Sequence, residues 1–189
     1  MHVRGQSNVL AWLGGSAGGL LPAVFALPPL WWALPPDGAV FLWLSLVMAA
    51  CDLASRRIPN FLTAITALCG LTWSLAAQGA AGLGWSLLAG GMIFCLMAVF
   101  FFLGAVGAGD VKALGSLATF LSPWGSLQFL LATLLCGGVL ALLRLVLARR
   151  GLVLAGGPAA WRLDAGRLEL PYGVAVALGA AWARLVGVA

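Results

Sequence analysis

The chain has 189 residues, of which 63% are hydrophobic and 8% charged, with a formal net charge of +5. Soluble domains carry roughly 45–50% apolar and 25% charged residues, so this chain has too little polar surface to cover a water-soluble globule. That excludes a soluble enzyme, a disordered tail and a nucleic-acid-binding domain, and leaves an all-α polytopic bundle in a membrane, where each backbone must satisfy its own polar groups.

Seven apolar segments follow one another, roughly at 9–32, 38–54, 61–78, 83–103, 110–121, 125–147 and 171–187. The alternation of an outer-membrane barrel, in runs of about ten residues, is absent. Residues 1–37 form an N-terminal transmembrane or signal-like segment and 38–189 the membrane core. Met1 to Arg4 before an apolar run fits a signal peptide, but the run reaches Leu34 and carries Trp31-Trp32, which suits an interface anchor and favours a retained helix. Gly14, Gly15, Gly18 and Gly19 give two GxxxG spacings suited to close helix contact. Pro35-Pro36-Asp37-Gly38 precedes the second segment, which ends on Asp52. A basic turn follows, Arg56-Arg57-Ile58-Pro59-Asn60. Pro59 cannot continue a helix and restrains Ile58 before it, and Asn60 is a good N-cap for the third segment. Gln78-Gly79, Gly104 to Gly109 and Ser122-Pro123 separate the next segments. The polar stretch 148–170 is too short to bury a core and leads into Leu170-Pro171-Tyr172-Gly173, where the last segment opens.

Seven crossings with the N-terminus inside put nine of the ten basic residues on the cytoplasmic side: Arg4, Arg56, Arg57, Lys112, Arg144, Arg149, Arg150, Arg162 and Arg167. Only Arg184 falls outside, a strong positive-inside asymmetry. Trp31, Trp32, Trp85, Trp124 and Trp182 then lie near the outer interface. The basic residues of 144–167 suit anionic lipid headgroups. Cys51, Cys69, Cys95 and Cys136 form no CxxC pair and read as small buried hydrophobes.

Five residues are acidic. Asp37, Asp164 and Glu169 fall in loops and read as solvated charges. Asp52 and Asp110 stand where apolar segments meet the cytoplasm, and a carboxylate there needs water, a partner or a function. Asp52 can pair with Arg56 at i+4. Asp110 follows Gly107-Ala108-Gly109, whose glycines let the backbone bend and another chain approach, and Lys112 can bias its ionisation. The segment from Asp110 to Leu121 spans only about 18 Å of a roughly 30 Å core, which sets Asp110 below the cytoplasmic surface. Two carboxylates on one side of a membrane suggest an aspartic dyad sharing one proton. His2 is the one histidine, so a Ser-His or Cys-His mechanism lacks a base. The dyad asks for no metal and no cofactor.

These motifs resemble the type IV prepilin peptidases of the GxGD aspartic protease group. Asp52 with Arg57-Ile58-Pro59-Asn60, Gly107-Ala108-Gly109-Asp110-Val111-Lys112, and Pro171-Tyr172-Gly173 opening the last helix match the family in order and spacing across about 38–187. The resemblance implies a six-helix peptidase core behind an N-terminal helix, with Asp52 and Asp110 as the catalytic pair. It implies Gly107, Gly109, Lys112, Pro59, Asn60, Pro171, Tyr172 and Gly173 as substrate-binding or supporting residues, although Pro171-Tyr172 also fits a plain helix start with an interfacial Tyr. The expected partners are prepilins or pilin-like proteins and membrane lipid, with no nucleic acid. The expected setting is the bacterial inner membrane, with cleavage of a basic leader, usually just after a glycine, at the cytoplasmic face. Bifunctional members carry a cytosolic insert with paired CxxC motifs. This chain has neither, and resembles the short peptidase-only branch of the tight-adherence (Flp-type) systems, which implies no methyltransferase activity. Two alternatives stay open: an intramembrane GxGD protease of the presenilin or signal-peptide-peptidase kind, although Cys51 stands where those have Tyr, and a small carboxylate-dependent transporter.

Overall fold

The computed structural model describes residues 35–55, 57–149 and 172–185. Every element among them is an α-helix: α1 (Pro36–Ser55), α2 (Asn60–Phe102), α3 (Ala108–Ala118), α4 (Pro123–Arg149) and α5 (Tyr172–Leu185). The segment expected over 9–32, Arg56, Pro171, Asp164, Glu169 and most of the polar stretch lie outside the described residues.

Helix α2 is a hairpin of two limbs. Gly79 has φ 66° and ψ −154°, a non-helical conformation that glycine adopts without a Cβ penalty. An unbroken helix would set Ser74 and Ser86 about 18 Å apart, yet their hydroxyl oxygens are 3.0 Å apart. The chain therefore doubles back at the Gln78-Gly79 boundary that the sequence predicts. By length and composition α1, α2 and Pro123–Leu143 of α4 can cross a membrane. The two limbs of α2 rise about 28 and 34 Å, each comparable to the roughly 30 Å hydrocarbon core. The six segments expected between 38 and 187 each have a helical counterpart, but α3 and α5 rise only about 16 and 21 Å, too short to cross unaided.

Small residues set the packing. Helix α3 lies against the α2 hairpin, and α5 lies between α1 and α4. A Cβ at Gly90 would stand 2.7 Å from Thr119 Cγ2 and 3.1 Å from the Gly115 carbonyl oxygen, so only glycine lets the second limb lie this close to α3. Ser86 donates to the Thr119 carbonyl and ties the two together. Phe41, Met48, Ile93, Leu114, Leu117, Phe129 and Val176, drawn from all five helices, fill the centre.

Helices α1 and α5 run antiparallel and are joined at both ends. At one end Arg184 Nη2 donates to Asp37 Oδ2 at 3.1 Å, with the side chains 4% and 22% exposed. The Arg184 guanidinium also lies 5.2 Å from the Phe41 ring centroid. This corrects the expectation that Asp37 is a solvated loop charge: it sits in the first turn of α1, where the helix dipole favours a carboxylate, beside a buried cation. Cysteine burial is corrected too. Cys51 is buried, but Cys69 and Cys136 are half-buried and Cys95 is exposed, all as free thiols.

Candidate active site

At the other end of the α1–α5 pair lies Asp52. It occupies the last turn of α1 and is 9% exposed. Its Oδ2 accepts the Gly173 N–H at 2.7 Å. Gly173 belongs to the first turn of α5, where backbone N–H groups have no intrahelical partner and the dipole favours an anion. A Cβ at Gly173 would stand 2.8 Å from Asp52 Cβ and 3.0 Å from Ala49 Cα. The glycine is what lets a backbone donor reach the carboxylate. The expected i+4 pairing of Asp52 involves Arg56, outside the described residues.

Asp110 arrives by a different route. Helix α2 stops in a Schellman motif: Gly104 takes φ 73°, its N–H donates to the Phe101 carbonyl at 2.9 Å, and the Ala105 N–H donates to Phe100 at 2.9 Å. Gly107 then caps α3, its carbonyl accepting the N–H groups of Asp110 at 3.1 Å and Val111 at 3.3 Å. A Cβ at Gly107 would lie 3.2 Å from Asp110 Oδ2, so this glycine leaves room for the carboxylate to fold back over the helix start. At Gly109 the nearest atom to such a Cβ is Ile58 Cβ at 3.8 Å, an ordinary contact. The two glycines of the GxGD motif thus differ: the first makes room for the aspartate, and the second stands at ordinary contact distance from Ile58.

Asp52 and Asp110 line one cavity of about 900 Å³ at this end of the bundle, and they interact electrostatically. Of the residues that the sequence singles out, Asn60, Gly107, Gly109, Lys112 and Tyr172 line it too. Pro59 and Gly173 stand behind the wall: Pro59 as the N-cap of α2, Gly173 through its bond to Asp52. The Pro59 cap corrects the expected capping role of Asn60, whose amide oxygen instead accepts a hydrogen bond from Lys112 Nζ at 3.0 Å. That bond spans from the start of α2 to the first turns of α3. Pro171 lies outside the described residues.

Tyr172 is the one tyrosine of the chain. Its ring edge packs on Gly137 of α4, where a Cβ would come within 3.4 Å of Tyr172 Cε2. Its hydroxyl oxygen is buried with no hydrogen-bond partner among the described residues, and the phenol interacts electrostatically with Asp110. Gly137 and Leu140, which the sequence reading missed, complete this wall with Ala175, and Arg57 of the basic turn lines the cavity too. Gly137-Gly138 inside an apolar run is the one signal that could have drawn attention to α4. The cavity therefore offers two carboxylates, a phenol and two cations around a space large enough for an extended peptide. Such a set can activate water and protonate a leaving group without a metal.

The model of the type IV leader peptidase family matches residues 39–142, a stretch that takes in most of α1, all of α2 and α3 and most of α4, with both aspartates. No curated protein and no solved structure matches the chain significantly.

Proposed function

Because the chain belongs to the type IV leader peptidase family, we propose that it is an aspartic endopeptidase of the bacterial inner membrane that removes the short basic leader from Flp-type prepilins and pilin-like proteins at the cytoplasmic face. The peptidase class comes with the family, and the apolar helices fit a membrane enzyme. The observation that carries the finer reading is the shared cavity: Asp52 and Asp110, on different helices and far apart in the chain, line one space. The orientation rests on charge. Arg57 and Lys112 flank the aspartates, and the positive-inside rule assigns that end to the cytoplasm.

In this mechanism the dyad holds one proton between two carboxylates that cannot both stay charged at close range. Asp52, which already accepts a backbone N–H, is suited to remain the anion and take a proton from the attacking water. Asp110 donates its proton to the scissile carbonyl oxygen. The tetrahedral intermediate collapses as the amine leaves with a proton from the dyad. The Tyr172 ring walls the cavity against Gly137 of α4. Lys112 and Asn60 hold the start of α3, and with it Asp110, against α2.

The test is replacement of either acid. Asp52→Asn and Asp110→Asn are each expected to lower prepilin cleavage by at least about 10³-fold, because an amide replaces neither the base nor the acid. Cleavage of a Flp-type prepilin in membranes, followed by the shift of the processed band, checks it. Normal processing by either variant refutes the aspartic mechanism.

A further inference from the structure

A second cavity, of about 530 Å³, opens between the two limbs of α2 and is floored by α3. It holds Asn60 and Lys112 in common with the aspartate cavity. The Lys112–Asn60 hydrogen bond is thus the wall between the two spaces, and a chain leaving the dyad can pass over it into the groove. Beyond that wall the groove changes character. Ala64, Ala67 and Leu71 line it from the first limb and Gly91 and Phe94 from the second. Lys112 is the one charged residue among its lining. Gly90 and Gly115 are taken up in packing the second limb on α3, whereas a Cβ at Gly91 would meet nothing within 4 Å. From Asn60 to Leu71 the groove follows the first limb for about 16 Å, three helical turns.

We infer that this groove docks the apolar helix of the substrate that follows the scissile bond, an assignment that rests on the leader-peptidase reading. A substrate cut at the membrane surface has its peptide bond at the aspartates and its mature part running into the bilayer. The groove begins where the aspartate cavity ends and descends beside a membrane-length limb. Its charge selects which half of the substrate enters. A basic leader is repelled by Lys112 at the mouth and meets no carboxylate inside, while an apolar helix meets Ala, Gly, Leu and Phe. Within lipid, helices gain little from the hydrophobic effect and associate through close packing over small residues, and Ala64, Ala67 and Gly91 supply such a surface. The scissile bond is then set by how far the docked helix rises above the Lys112–Asn60 wall.

The experiment uses the full chain in proteoliposomes with two substrates: a complete Flp-type prepilin, and a peptide carrying the leader and ending a few residues past the cleavage glycine. Gly91→Leu fills the groove from a position open enough to accept a side chain. The ratio of kcat/KM for prepilin over peptide is expected to fall at least about tenfold in this variant, since the leucine side chain overpacks space that the docked helix would fill. Gly84→Leu, at another open position on the same limb that lines neither cavity, should leave prepilin cleavage within about twofold of wild type. A benzoylphenylalanine at position 91 should cross-link to prepilin residues on the mature side of the cut. A Gly91→Leu ratio within twofold of wild type overturns the assignment. So do cross-links confined to lipid, or to residues 9–32 of this chain. If the wild-type protein cleaves neither substrate, the leader-peptidase reading itself falls. Cleavage of both by wild type with an unmoved ratio removes the groove alone.

Discussion

Gly173→Ala tests how closely the candidate active site depends on one missing side chain. In the wild type a backbone N–H reaches Asp52 at 2.7 Å. The new Cβ would stand 2.8 Å from Asp52 Cβ, 3.0 Å from Ala49 Cα and 3.1 Å from Asp52 Oδ2. Carbon atoms settle at about 3.5–4.0 Å, so the start of α5 must retreat from α1 by roughly 1 Å. The N–H···O distance then passes about 3.5 Å and the bond is lost. A hydrogen bond to a charged group is worth about 1.5–3 kcal/mol, and a misplacement of about 1 Å at a catalytic group lowers turnover by about 10²-fold. Glycine-to-alanine in a helix otherwise favours folding by roughly 0.5–1 kcal/mol, so intrinsic propensity points the other way. Gly138→Ala provides that baseline, since a Cβ there meets nothing within 4 Å. The expected result is a fall of about 10²-fold in kcat at saturating prepilin for Gly173→Ala, with near-normal turnover for Gly138→Ala. Turnover by Gly173→Ala within threefold of wild type would refute the claim that the Gly173 N–H positions Asp52.

Asp37→Ala leaves Arg184 buried without its carboxylate and is expected to cost about 3–5 kcal/mol, read as a lowered Tm in detergent; adding Arg184→Met should recover most of it, and an unchanged Tm for the single variant refutes the pairing. Tyr172→Phe removes a buried hydroxyl that has no partner among the described residues, so Tm should hold or rise, because an unsatisfied buried polar group is costly, while prepilin cleavage stays within about threefold of wild type; a lowered Tm refutes the unsatisfied hydroxyl. Asp52→Cys combined with Asp110→Cys, in a chain with the four native cysteines replaced by Ser, should be joined by a short bifunctional thiol reagent. Failure with every reagent length up to about three helical turns would deny the shared cavity.

Local chemistry was the legible part of this chain. Pro59, Gly79 and Gly104 to Gly109 break apolar runs, so the helix boundaries follow from backbone rules that act within a few residues. Asp52 and Asp110 stand out because carboxylates are scarce and costly beside lipid. Partners from distant segments were hidden. Nothing local to Asp37 announces Arg184, and its place after Pro35-Pro36 gives it the look of a solvated turn. Asn60 looks like a cap, but a proline one residue earlier takes that position and frees the amide for Lys112. The role of Gly173 was out of reach for the same reason, since a glycine at a helix start is ordinary until a second helix lies 3 Å away. Apolar periodicity was equally mute about Gly137, because a chain that is apolar on every side does not reveal which face meets a neighbour.

The two aspartates also belong to different packing groups. Asp52 ends α1, which is held to α5 at both ends, and α5 is backed by α4. Asp110 opens α3, which packs chiefly on the α2 hairpin through Gly70, Gly90, Gly115 and Thr119. The candidate active site lies on the seam between these groups. Away from the aspartates that seam is stapled by aromatic side chains, with the Phe41 ring 5.9 Å from Phe120 and 5.8 Å from Phe129 between centroids. At the aspartate end it opens into the cavity. A dyad built on one helix would have its spacing fixed by the helical pitch. A dyad shared across a seam has its spacing fixed by how two groups dock, and the Lys112–Asn60 bond tethers α3 within its own group rather than across the seam. In the proposed mechanism a peptide bound between Asp52 and Asp110 would touch both groups at once, so the spacing of the two acids depends on how the groups dock.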